Sequence, residues 1–239
     1  MKSHFKAVMT LALLPFFEYF RTGNPHQLAA IKQLEDEIPQ ELLAEDAAWF
    51  EAWKESGISQ RAFVPYFHQL DDPVEGHRAC FTASAAMVAA MYGVVNNYQE
   101  YKLIREKFGD TTLIEAQVKA LRSLGLYAEF RNDADDALVE AEIASGRPVI
   151  AGILHRGNFL RGEPAMCDSA GCGHYVVIVG FEKENWIVHD PRGSLDIERG
   201  GHFSQYGGKN LKVPRAGFRQ RWQVEGEGSG WVILVDDEN

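Results

Sequence analysis

The chain has 239 residues, enough for one large domain or for one domain with a helical appendage. Its 46% hydrophobic and 24% charged residues are ordinary for a globular protein. A formal net charge of −10 argues against a nucleic-acid partner, because phosphate binding needs a basic face.

The first sixty residues read as a helical segment ahead of a main domain over 61–239. Ala7 to Phe17 is an apolar run after a weakly basic start, interrupted by Thr10 and Pro15. Eleven residues are too short to span a bilayer, which needs about 20. No small-residue cleavage site follows, so an interfacial or buried amphipathic helix is favoured over a signal peptide, with weak membrane association through residues 1–20 as its consequence. Asn24-Pro25 starts a helix with Leu28, Ile31, Leu34 and Ile38 on one face. Pro39 restarts another, striped by Leu42, Leu43, Ala47, Phe50 and Trp53 and ended at Gly57. Residues 35–55 are strongly acidic, with Lys54 as their one basic residue.

From Ala62 the texture changes to short apolar runs between turn residues. Phe63 to Phe67 is expected as a short strand, followed by the Asp71-Asp72-Pro73 loop. Cys80 to Tyr92 is nearly continuous in Ala and other apolar residues, which predicts a central helix buried on most sides. Further helices are expected around 113–124, before Gly125, and over 133–145, before Gly146. Strands are expected at 148–154, at Tyr175–Phe181 and Trp186–His189 as a hairpin, and at Trp231–Val235 to close the sheet. The sum is an α+β fold: a helix carrying Cys80 packed on an antiparallel sheet, with the N-terminal helical segment added. Lys209, Lys212, Arg215, Arg219 and Arg221 lie in a stretch without acids, read as a solvated face in preference to a contact for an anionic polymer.

Cys80 at a helix start, His174 at the head of a strand and Asp190 after the next one follow the chain order of papain-like cysteine hydrolases. The chemistry needs those types. A thiol attacks as its thiolate, and at an ordinary pKa only a small fraction is ionised near neutrality. A helix N-terminus and a neighbouring imidazolium both stabilise the anion. His174 is the expected base, Asp190 the group that orients it, and Gln69 a side-chain donor to the oxyanion. His189 competes as the base, His155 and His77 are expected near the cleft or in structural roles, and no cofactor is required. A zinc reading of Cys167, Asp168, Cys172 and His174 lacks a second half-site, so no metal is expected. Three cysteines cannot all pair; a bridge between Cys167 and Cys172 would leave Cys80 free, and both can equally be thiols.

Residues 62–235 resemble the cysteine peptidases that remove double-glycine leader peptides from bacteriocin precursors, and their free-standing bacterial and phage relatives. The likeness rests on Val64-Pro65-Tyr66-Phe67-His68-Gln69, on Cys80 and its helix, and on Gly146-Arg147-Pro148-Val149-Ile150. It is most specific at Gly173-His174-Tyr175-Val176-Val177 and Val188-His189-Asp190-Pro191. It implies a papain-like fold, Cys80 as nucleophile, His174 as base, Asp190 as its orienting acid and Gln69 as oxyanion donor. Phe81-Thr82 departs from the family's Gly-Pro after the nucleophile, and Gln69 precedes Cys80 by eleven positions. The implied substrate is a polypeptide. Residues 221–231 are similar to the ends of phage relatives, which brings in the stem peptide of peptidoglycan as an alternative, acted on in the cytoplasm or at the envelope. A further alternative is a binding module that keeps the fold without catalysis.

Overall fold

The computed structural model describes residues 60–167 and 173–237, within the second of two compact units, Ile58–Asn239. The helices expected before residue 58 and the membrane association expected of residues 1–20 lie outside the described residues. Among the described residues no helix is long and apolar enough to cross a membrane.

The architecture is α+β, as the apolar patterning predicts. Helix α1 (Cys80–Met91) is followed by α2 (Tyr98–Arg105) and α3 (Ile114–Ser123), then strand β2 (Leu126–Ala134), α4 (Asp136–Ala144) and β3 (Val149–Leu154). Strands β4 (Gly173–Phe181) and β5 (Asn185–His189) form the expected hairpin. A two-stranded ribbon, β6 (Ser194–Leu195) and β7 (His202–Ser204), precedes β8 (Leu211–Pro214), helix α5 (Arg215–Trp222) and β9 (Gly230–Asp237). The main sheet runs β2-β9-β3-β4-β5-β8, antiparallel throughout, with β1 (Gln60–Arg61) paired beside β4.

Side chains alternate across this sheet, and both faces are covered. Ile150, Val177, Val179, Ile187, Ile233 and Val235 face α1, α2 and α3 in one core. Val149, Ala151, Ile153, Val176, Ile178 and Trp186 face α4 and α5 in the other. Helix α1 is buried from Phe81 to Ala89 because it lies between the sheet and its two companion helices, so its sequence shows no polar stripe.

Three expectations are corrected. Phe63 to Phe67 is not a strand. Pro65 has no N–H to give a ladder, Phe63 is 80% exposed, and the pairing stops after Ala62, whose N–H reaches the Val179 carbonyl at 2.7 Å beside a bulge in β4. Trp231–Val235 does not close the sheet; β9 lies inside it between β3 and β2, because β2, whose polar exposed positions hid its period, takes the edge. The basic stretch near 209–221 is not simply a solvated face. Arg215 pairs with Glu140, Arg219 with Asp136, and Lys212 with Glu182. Arg221 is fully buried, donating to the carbonyls of Ile197 at 2.7 Å, Gly157 at 2.8 Å and Arg156 at 2.9 Å while its guanidinium lies 4.1 Å above the Phe159 ring. The acids that these groups meet are distant in sequence, which is why local charge counting misreads them.

Candidate active site

Cys80 opens α1. Its N-cap, Ala79, offers no side-chain cap, and no acid lies in the first turn, so the free N–H groups and the positive end of the helix dipole act on the thiol without competition. The two residues that follow Cys80 pack inward. Phe81 is 1% exposed and stacks on Tyr175 with ring centroids 3.6 Å apart. Thr82 is buried in a polar knot, 2.7 Å from the Thr111 hydroxyl and accepting from Gln117 Nε2 at 3.0 Å. Phe81-Thr82 therefore anchors α1 to β4 and α3, and the thiol remains partly exposed in the cleft.

Strand geometry brings the other groups together. Ile153 pairs with His174, and Val177 pairs with His189. One step past His189, Asp190 comes level with Val176, on the same face as His174 two residues away, within diagonal reach. His174 Nε2 lies 2.9 Å from Asp190 Oδ1, and since an ionised carboxylate only accepts, the imidazole donates there. His174 lines the same cleft as Cys80, and the ring and the thiol act on each other electrostatically.

Asp190 is held from several sides. Its carbonyl accepts the Tyr66 hydroxyl at 2.9 Å, its N–H donates to Gly208 at 2.8 Å, and Oδ1 also accepts the Arg192 N–H at 2.8 Å. Oδ2 accepts from His202 Nε2 at 3.0 Å. His202 was not singled out in the sequence. It starts the three-residue strand β7, and its one local signal is the preceding Gly200-Gly201 pair, both at positive φ. A Cβ on Gly200 would meet the carbonyls of His155 and Gly157 at 2.7 and 2.8 Å, so the turn that delivers His202 requires glycine there.

The electrostatics follow from this packing. For His174, burial disfavours the imidazolium, but the Asp190 charge and hydrogen bond together with the thiol outweigh it, raising the ring to about 10. For Cys80, burial opposes ionisation, yet the hydrogen bond and charge of His174 and a backbone hydrogen bond from Tyr175 hold the thiol below its ordinary value. Asp190 resists the burial that would raise it, because His174 and His202 hold its carboxyl well below the usual range. His155, whose ring centroid lies 5.4 Å from that of His174, is pushed down to about 3, first by burial and then by the charges of His174 and His202. The arrangement favours a thiolate–imidazolium pair backed by a carboxylate.

Gln69 is also brought to the site. Its backbone N–H donates to Pro191 at 2.8 Å, which ties the loop before α1 to the residue after Asp190. Its side chain is buried, lines the same cleft as Cys80, and donates from Nε2 to the Gly76 carbonyl at 2.5 Å, while Oε1 has no partner among the described residues. The amide keeps a second N–H on Nε2. His189, the competing base, is set aside by its position: Nε2 lies 3.1 Å from the Val64 carbonyl, Nδ1 accepts the Asn210 N–H at 3.1 Å, and the ring does not line the cleft. His77 and His155 do line it.

The cleft has a volume of about 1290 Å³. Arg156, Gly157, Glu163 and Met166, in the segment after β3, are among its lining residues, and Arg156 bridges to Met166. Cys167 in that segment is disulfide-bonded, which leaves it no thiolate for the zinc reading; Asp168 and Cys172 lie outside the described residues. Cys80 is a free thiol. His174, Asp190 and His202 place ligand atoms within 4.8 Å of one another, but both imidazoles already donate to the carboxylate, and a metal would have to displace those hydrogens.

A free cysteine at a helix N-terminus, on a sheet that presents a histidine and an aspartate from adjacent strands, is the arrangement of a papain-like peptidase. The Peptidase_C39 like family matches residues 62–229, and the chain belongs to that family. No curated protein matches it. Among solved structures, it is similar to a double glycine motif protease from the AMS/PCAT transporter in complex with the leader peptide, at 20% identity over 75% of this chain and 95% of that one, with a TM-score of 0.44. It is similar to the peptidase domain of Streptococcus ComA, a bifunctional ABC transporter involved in a quorum sensing pathway, at 20% identity over 67% and 93%, with a TM-score of 0.45. A C39-like peptidase from Bacillus anthracis aligns at 17% identity over 74% and 98%, with a TM-score of 0.49.

Proposed function

We propose that this protein is a cysteine peptidase that cleaves a polypeptide through an acyl-thioester on Cys80. The observation that carries this reading is His174, hydrogen-bonded to Asp190 at 2.9 Å and lining the same cleft as the free Cys80 thiol. In the first half-reaction the Cys80 sulfur attacks the scissile carbonyl carbon, and the carbonyl oxygen takes the electron pair. Gln69 Nε2 and the N–H groups at the start of α1 are the donors near that oxygen. Collapse breaks the C–N bond, and the His174 imidazolium gives its proton to the departing amine. A water then attacks the thioester and passes a proton to His174. The carboxyl product leaves with the thiolate–imidazolium pair restored. Asp190 keeps the ring oriented throughout and offsets its charge.

The position of Phe81 argues against an inactive module: a side chain buried against Tyr175 does not crowd the thiol. A cell-wall substrate rests on residues 221–231 alone. None of these lines the cleft, and Arg221 and Trp222 serve the core, so the polypeptide reading is favoured. The test is cleavage of a mixed peptide library followed by mass spectrometry. Cys80→Ala abolishes product while leaving the melting curve nearly unchanged; a rate equal to that of the wild type sinks the proposal.

A further inference from the structure

The wall of the Cys80 cleft is basic on a chain whose net charge is −10. Arg78, Arg156, Arg192 and Arg199 line it, against Glu163 as the one carboxylate among the described residues of the lining. Two of the four arginines are answered from behind: Arg78 by Asp110, and Arg199 by Asp196 at 3.4 Å. Arg156 and Arg192 have no acidic partner among the described residues. They come from two different segments of the lining. Arg192 follows Pro191, whose carbonyl holds the Gln69 N–H, and so stands on the Gln69 side. Arg156 follows His155 and stands on the side of the β3–β4 segment.

Resting on the peptidase reading above, we infer that this cleft selects peptides with carboxylate side chains near the scissile bond. A guanidinium offers a planar fork of donors that matches a carboxylate in two hydrogen bonds. Concave walls of one sign focus the field, so an acidic segment is drawn in and a basic one is turned away. The glutamate of the wall, Glu163, accepts the Asn158 N–H at 3.1 Å and belongs to the fold of its own loop, so it does not neutralise the two unpaired arginines. Neutral His155 adds a further polar group to the same lining, its Nδ1 buried and without a partner among the described residues.

The test is equilibrium binding of rhodamine-labelled short peptides to the full-length Cys80→Ala protein, which separates recognition from turnover. Three pools are compared, alike except that alternating positions are fixed as Glu, Gln or Lys. The Glu pool binds roughly tenfold more tightly than the Gln pool, and the Lys pool more weakly still; each exposed guanidinium–carboxylate pair accounts for up to about fivefold. The preference collapses at about 0.5 M salt, where the screening length falls to a few ångströms. Arg156→Gln and Arg192→Gln, each made in the Cys80→Ala protein, reduce it, whereas Lys119→Gln, whose partner is Glu115 on α3, leaves it unchanged. Equal affinities for the three pools, a preference for Lys, or no binding by any pool overturns the inference. The peptidase reading is tested separately by Cys80 reactivity, so one can fail without the other.

Discussion

Asp190 does more than orient one histidine. A buried carboxylate without partners would be costly, and its oxygens are occupied by His174, the Arg192 N–H and His202. In the proposed mechanism His202 is thus expected to be a positioning residue acting through Asp190. A hydrogen bond to a charged group contributes about 1.5–3 kcal/mol, so His202→Ala is expected to lower kcat/KM roughly tenfold or more with KM little changed. His202→Gln, which keeps an N–H donor, recovers part of the loss; equal rates for wild type and His202→Ala contradict the role. Asp190→Asn removes the charge that raises His174. In the wild type, kcat/KM is expected to rise with pH as the Cys80 thiol ionises below its ordinary range, and to fall as His174 loses its proton near pH 10. Without the Asp190 charge the His174 pKa drops and the thiolate loses its support, so the bell narrows from both sides. An unshifted alkaline limb in Asp190→Asn would falsify this assignment.

At the scale of elements, the hairpin β4–β5 was legible because both strands are continuous apolar runs bounded by turn residues, and its register places His174 beside Asp190. Helix α1 was legible for the same reason. The ribbon β6–β7, which delivers His202, was not: two- and three-residue strands have no period to read, and their placement depends on glycine turns and on contacts far along the chain. Helix α5 was missed because its charged residues find partners on α4 and on the segment after β3, contacts that no local pattern encodes. Arg221 makes that dependence testable. Arg221→Ala leaves several buried carbonyls without a donor, at a cost of about 3 kcal/mol or more. The melting temperature falls by roughly 10 °C, given about 2–4 °C per kcal/mol for a chain of this size. A change of a degree or less means that water replaces the guanidinium at no cost.

At the scale of the whole molecule, the seven-stranded sheet separates two cores, and the site lies at one end of it, where α1 and the ends of β3, β4 and β5 meet. Burial on both faces fixes that end of the sheet, and the family match over residues 62–229 spans all of these elements up to the start of β9. Among the described residues the lining of the cleft is basic, opposite in sign to the net charge of the whole chain. The most direct test of the central claim, that Cys80 stands as a thiolate paired with His174, is the rate of iodoacetamide labelling at about pH 6, with the modified residue located by mass spectrometry. An ordinary thiol is almost wholly protonated there and reacts slowly. Fast labelling confined to Cys80, and slowed by at least about tenfold in His174→Ala, is the predicted result. Labelling no faster than that of a free thiol, or unaffected by His174→Ala, contradicts the account.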